Sequence, residues 1–102
     1  MAIYTLATND YSADPAVQSA YATAANPIVS PYVTSGACTS PPVYTPALPD
    51  GVYPPTSGSY VARRDWTNQT DAQSFCDQIA TLLTNNPSYT QFVTSAPAVF
   101  NE

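Results

Sequence analysis

The first patterned stretch is AIYTLA, residues 2–7, mostly apolar, in which a strand would put Ile3, Thr5 and Ala7 on one side and Tyr4 and Leu6 on the other. A period of two predicts a short strand. The period then lengthens: Val17, Ala20, Tyr21 and Ala24 recur at helical spacing, with Asp14 placed as N-cap and Pro15 at the first helical position. Asn26-Pro27 predicts the end of this helix, because a residue preceding proline avoids the helical region. A helix of about three turns is marginal alone and needs a surface to pack on.

A stronger helical stripe lies further on. Ala72, Phe75, Cys76, Ile79 and Leu83 follow i, i+3, i+4, i+7 and i+11. Thr67 or Asn68 can cap this helix, Thr70 with Gln73 offers a second capping register, and Asp71 suits the positive end of the helix dipole. Asn85-Asn86-Pro87 predicts its stop. Upstream, SYVARRDW (59–66) predicts a strand with Tyr60, Ala62, Arg64 and Trp66 on one face and Val61, Arg63 and Asp65 on the other. Downstream, SYTQFVTS (88–95) predicts a second strand, ended by Pro97. Residues 60–102 thus read as a small strand–helix–strand α+β or split βαβ unit, whose two strands run parallel if they share a sheet.

Between the two patterns the character changes. Residues 27–59 carry eight of the eleven prolines, all three glycines and almost no charge. Proline at this density predicts a long extended arm of polyproline II with turns at Asp50-Gly51 and Ser57-Gly58. Tyr32, Tyr44, Tyr53 and Tyr60 stud it, so the arm has apolar area to bury, and neighbouring chains are the expected place. The expectation is therefore α+β in three parts: an N-terminal strand and short helix (1–26), a Pro-rich extended arm (27–59) and a strand–helix–strand unit (60–102).

Charge narrows the function classes. Only 9% of residues are charged and the net charge is −5, with two arginines, no lysine and no histidine. Nucleic acid is excluded as a partner, because phosphate neutralisation needs several cations. An anionic membrane surface is disfavoured for the same reason. No run approaches the ~20 apolar residues of a membrane span, and MAIYTLATNDYS shows neither the basic nor the apolar region of a secretory signal. Cys38 and Cys76 fit no zinc spacing, so no metal or cofactor is expected; buried thiols and a single disulfide both remain open.

General acid–base chemistry most often uses histidine, and activated nucleophiles need a base beside them. The acids are Asp10, Asp14, Asp50, Asp65, Asp71, Asp77 and Glu102, several of them at helix starts or turns. Only a paired-carboxylate hydrolase drawing on Asp10, Asp65 and Asp77 can be drawn from this set. A non-catalytic protein is expected, with no catalytic residues. Asn68-Gln69-Thr70 matches a glycosylation triplet and reads better as a helix cap.

The two arginines are adjacent, Arg63 and Arg64, and a strand sends them to opposite faces. Arg64 is expected beside Trp66, where a guanidinium can stack on the indole. Arg63 is expected beside Val61 and Asp65, pointing outward. In a chain without lysine, either could be the charged anchor of a subunit contact, and Arg and Trp are favoured at such contacts. The candidate partner-binding residues are Arg63, Arg64, Trp66, Tyr32, Tyr44 and Tyr53.

RRDWTNQTDAQSFCDQI resembles a segment of small structural proteins of tailed bacteriophages, in which an R-x-W-[ST] strand end leads into an A-x-x-[FW] helix. The matching positions are Arg64, Trp66, Thr67, Ala72 and Phe75. The resemblance leaves the Pro-rich middle uncovered. It implies a virion-associated structural protein, a capsid decoration or cement protein or a connector or tail subunit. Its partners would be other virion proteins and copies of itself, assembled in the host cytoplasm. Two alternatives stand beside it: an extracellular filament or surface-layer subunit, and a small adaptor whose PPVYTP and VYPP segments are peptide ligands.

Overall fold

The first predicted strand becomes the middle of a sheet rather than its margin. The computed structural model describes residues 2–38, 42–48, 51–52 and 54–102. Strands β1 (Ile3–Asp10), β2 (Val43–Thr45), β3 (Ser59–Trp66) and β4 (Val93–Asn101) form one antiparallel sheet in the order β2-β3-β1-β4. Helix α1 (Pro15–Thr34) follows β1, and α2 (Gln69–Asn85) follows β3. β3 and β4 each run antiparallel to β1, so they are parallel to one another with β1 inserted between them. That is a split βαβ unit, and β1, α1 and β2 form a second one around β3.

The β1–β3 ladder is unbroken from Ile3↔Trp66 to Asp10↔Ser59. It fixes which side chains share a face. Ile3, Thr5, Ala7 and Asn9 stand with Trp66, Arg64, Ala62 and Tyr60, while Tyr4, Leu6 and Thr8 stand with Asp65, Arg63 and Val61. The helices cover the first face. Trp66 is buried there against Phe75 of α2 and Tyr32 of α1, at ring-centroid distances of 5.2 and 5.3 Å. All five residues of the predicted stripe, Ala72, Phe75, Cys76, Ile79 and Leu83, are buried. Asn68 is the N-cap of α2, its side chain accepting from the Asp71 N–H at 2.8 Å.

The expected short N-terminal helix is corrected: α1 continues through Pro27 and Pro31 to Thr34. Each interior proline removes one i→i−4 hydrogen bond and crowds the preceding turn, at a cost of about 3 kcal/mol. Tertiary contacts offset it. Tyr32 packs on Trp66 and donates to Ser74 Oγ at 2.9 Å, while Ile28, Val29 and Val33 rest against the core.

The long extended arm is also corrected. Residues 27–34 are helical, Ala37 and Cys38 are buried, Cys38 bridges to Trp66, and Val43–Thr45 is a strand paired with β3. Tyrosine pairing outweighs local stiffness here. Tyr44 meets the rings of Tyr11 and Tyr60 edge-on, and its hydroxyl accepts from the Tyr11 hydroxyl at 3.3 Å. The turn expected at Asp50-Gly51 falls partly outside the described residues; at Gly58, φ is +94°, the conformation that glycine allows. The radius of gyration, 13.1 Å, equals the value of about 13 Å for a 100-residue globule, leaving no room for a projecting arm.

The last strand is displaced from its predicted place. Pro87–Gln91 forms a 3-10 turn, and β4 begins at Val93 and runs through Pro97. Phe92 and Val93 are neighbours in sequence and both buried, which breaks the alternation that pointed to 88–95. Pro97 survives inside β4 because β4 is an edge strand with a register irregularity between the Leu6 and Thr8 pairs. A missing N–H costs little at such a site.

Candidate functional site

The sheet has two faces of different fate. The uncovered one carries Tyr4, Leu6, Val43, Val61, Ala98 and Phe100 around a single cation, Arg63. Val43 and Phe100 are 62% and 42% exposed, large values for apolar side chains. The Arg63 guanidinium lies 4.0 Å above the Tyr4 ring centroid, and its Nη2 and Nε donate to Asp65 Oδ1 at 3.0 and 3.1 Å. Tyr4 stacks on Phe100 with centroids 5.6 Å apart and planes 15° from parallel. Its hydroxyl donates to Glu102 Oε1 at 3.0 Å; this hydrogen bond, ahead of burial, raises the phenol pKa. The face is therefore an aromatic–aliphatic surface whose one cation is held in place by stacking and an ion pair.

The covered face is less well filled than a core. α1 contributes no fully buried side chain. Between it and the sheet lies a cavity of about 520 Å³, floored by Ala7, Ala62 and Arg64 and roofed by Tyr21, Ala22 and Ala25. Tyr21 is edge-on to Tyr89 and Phe92, and burial pushes its phenol up to about 12 even though the Arg64 charge works the other way. At the N-terminal end of α1, Gln18 Nε2 donates to the carbonyls of Tyr11 and Ala13 at 3.1 and 2.9 Å, tying the helix to the turn before it. A second, wider groove of about 980 Å³ runs along α2 beside Ile28 of α1, and it is shallow and open to solvent.

Among the described candidate residues, Arg63 alone faces the open side of the sheet. Arg64 lies on the covered face opposite Thr5 and lines the cavity. Trp66 is 6% exposed, and its indole N–H donates to Thr5 Oγ1 at 3.1 Å. Tyr32 is half-buried, packed on Trp66, and its hydroxyl accepts from Gln78 Nε2 at 2.6 Å. Tyr44 is half-buried on the covered side of β2, and Tyr53 lies outside the described residues.

Cys38 and Cys76 are both buried free thiols. Burial raises both; Cys76, with Asp77 adding to the effect, reaches about 11. Asp10 and Asp65 sit six ladder positions apart, on the order of 20 Å at ~3.3 Å per residue. Asp77 is exposed on α2, so the three aspartates share no cleft. Among the described residues no cluster of acids and cysteines is arranged to hold a metal ion, and no helix is long and apolar enough to cross a membrane.

Sequence reasoning placed Tyr4 and Leu6 together on one face of the first strand. It missed Phe100 and Ala98, because the alternation of APAVFN was discounted at Pro97. No family model, no curated protein and no solved structure matches the chain.

Proposed function

We propose that this chain is a structural subunit of a tailed-phage particle, a decoration, connector or tail component, that docks through the open face of its sheet onto the same face of a second copy. The observation that carries the reading is the uncovered face itself: Tyr4, Leu6, Val61 and Phe100 share one face of the two central strands and β4, with no helix over them. The particle setting rests on the segment from Arg64 to Phe75. The reading is non-catalytic.

Two features favour face-on over edge-on assembly. β2 is three residues long and flanked by Pro42 and Pro46, and the other edge strand contains Pro97. Both edges are blunted against strand addition. The open face, in contrast, is self-complementary: Arg63 sits near Asp65, and Glu102 lies across Tyr4 from it. In a two-fold pair, Arg63 of each copy can reach an acid of the other.

Size sets the strength. At about 4.8 Å between strands and about 3.3 Å per residue, the face offers roughly 500 Å² per copy. A stable pairwise interface uses about 800 Å² per partner. One such contact is weak, and repetition in a lattice makes it persistent.

Sedimentation of the purified chain from micromolar to millimolar concentration tests the reading. Self-association is expected, and Leu6→Lys or Phe100→Asp should abolish it while leaving the fold's circular dichroism intact. A wild-type chain that stays monomeric at millimolar concentration sinks the proposal, as does association that survives both substitutions.

A further inference from the structure

The cavity between α1 and the sheet has the dimensions and wall chemistry of a small-molecule site. Its volume, about 520 Å³, falls within the roughly 300–1,000 Å³ of ligand pockets. The space is a cleft that opens partly to solvent, with Ser19, Ala22 and Asn26 exposed along its rim. It persists because small residues oppose one another: Ala7 and Ala62 on the sheet, Ala22 and Ala25 on the helix. Two alanine walls make a slot rather than a sphere. Aromatic groups close its sides, with Tyr11 and Tyr21 each edge-on to Phe92.

Charge selects the occupant. None of the described lining residues is acidic, and Arg64 is the one cation among them. The rest of the chain is anionic, with a net charge of −5. A guanidinium has five N–H donors in a planar fork, so it can keep a neighbour and still bind a carboxylate through two of them. Asn9 and Gln18 add amides to the lining.

From this geometry we infer that the space under α1 binds a small planar aromatic carboxylate, its ring between the alanine walls and its carboxylate on Arg64. Entry is from the solvent side of α1, where the space is already partly open. No side chain of α1 is fully buried, and Ser19, Ala22 and Asn26 at the cavity are exposed. The site is on the opposite side of the sheet from the open face, so occupancy and assembly are separable.

The test uses two probes of equal size, naphthalene-2-carboxylate and the neutral naphthalen-2-ylmethanol, titrated into the intact chain and followed by amide NMR shifts. The carboxylate is expected to saturate, with shifts centred on Thr5, Ala7, Tyr21 and Ala62, and to bind at least about tenfold more tightly than the alcohol. Arg64→Gln should remove that preference, and Ala25→Phe should block both probes by filling the slot. No saturable shift at millimolar probe, equal affinities for acid and alcohol, or unchanged binding to Ala25→Phe would each overturn the inference. The acid–alcohol comparison on the unaltered chain decides the role of charge even if Arg64→Gln does not fold.

Discussion

Replacing Thr5 by valine removes one oxygen from a buried hydrogen bond that joins β1 to β3. Thr5 is 2% exposed and Trp66 is 6% exposed, and the indole N–H has Thr5 Oγ1 at 3.1 Å. Valine keeps the branched shape, so no cavity opens. What changes is that a buried donor loses its acceptor. An orphaned buried donor costs about 1–3 kcal/mol, more than the net worth of about 1 kcal/mol for an ordinary hydrogen bond. For a domain of this size each kcal/mol lowers Tm by roughly 4–8 °C, so a drop on the order of 10 °C is expected. A double-mutant cycle in urea separates this from general damage. Trp66→Phe removes the donor as well, so Thr5→Val should cost about 1–2 kcal/mol less in that background. If Thr5→Val costs under about 0.5 kcal/mol, or costs the same with and without the indole, the bond does not join the two strands as described.

Other outcomes follow from the same geometry. The Cys76 thiol moves from 9.0 unfolded to about 11 folded and the Tyr21 phenol from 10.0 to about 12, so the native state holds these protons more tightly. That stability is fully present below pH 9 and is lost as pH rises through 11 and 12; a urea midpoint constant from pH 8 to 11 contradicts it. Pro27→Ala restores an N–H within α1 and should stabilise the chain by about 1–3 kcal/mol in thermal unfolding; a helix ending at Asn26 would give no gain. With −5 charges per copy, self-association should strengthen on going from low to high salt in sedimentation, and weakening would point instead to a contact made mainly of ion pairs.

Local periodicity revealed the parts of the fold that local periodicity governs. The α2 stripe is visible because its five apolar residues all face one core, and the opposite placement of Arg63 and Arg64 follows from strand geometry alone. The misplaced parts are those where long-range contacts override a local preference. α1 outlasts two prolines because Tyr32 reaches Trp66 and Ser74. Residues 43–45 join the sheet because Tyr44 finds Tyr11, more than thirty positions earlier. Pro97 is harmless because β4 lies at an edge, a fact about topology. The candidate site was legible to the same degree: Tyr4 and Leu6 could be paired from alternation, but only the sheet order shows that β4 adds Phe100 and that the helices choose the other face.

The central place of β1 has a consequence for how the molecule is made. During synthesis Ile3–Asp10 leaves the ribosome ahead of both its partner strands, and its far flank waits for Val93–Asn101, the later of the two. Until then the nascent chain carries β1 with one row of amides and carbonyls unsatisfied. Neither β2, which lies beyond β3, nor α1, which packs on a face of the sheet, can pair with that flank, so it stays open to solvent until β4 arrives.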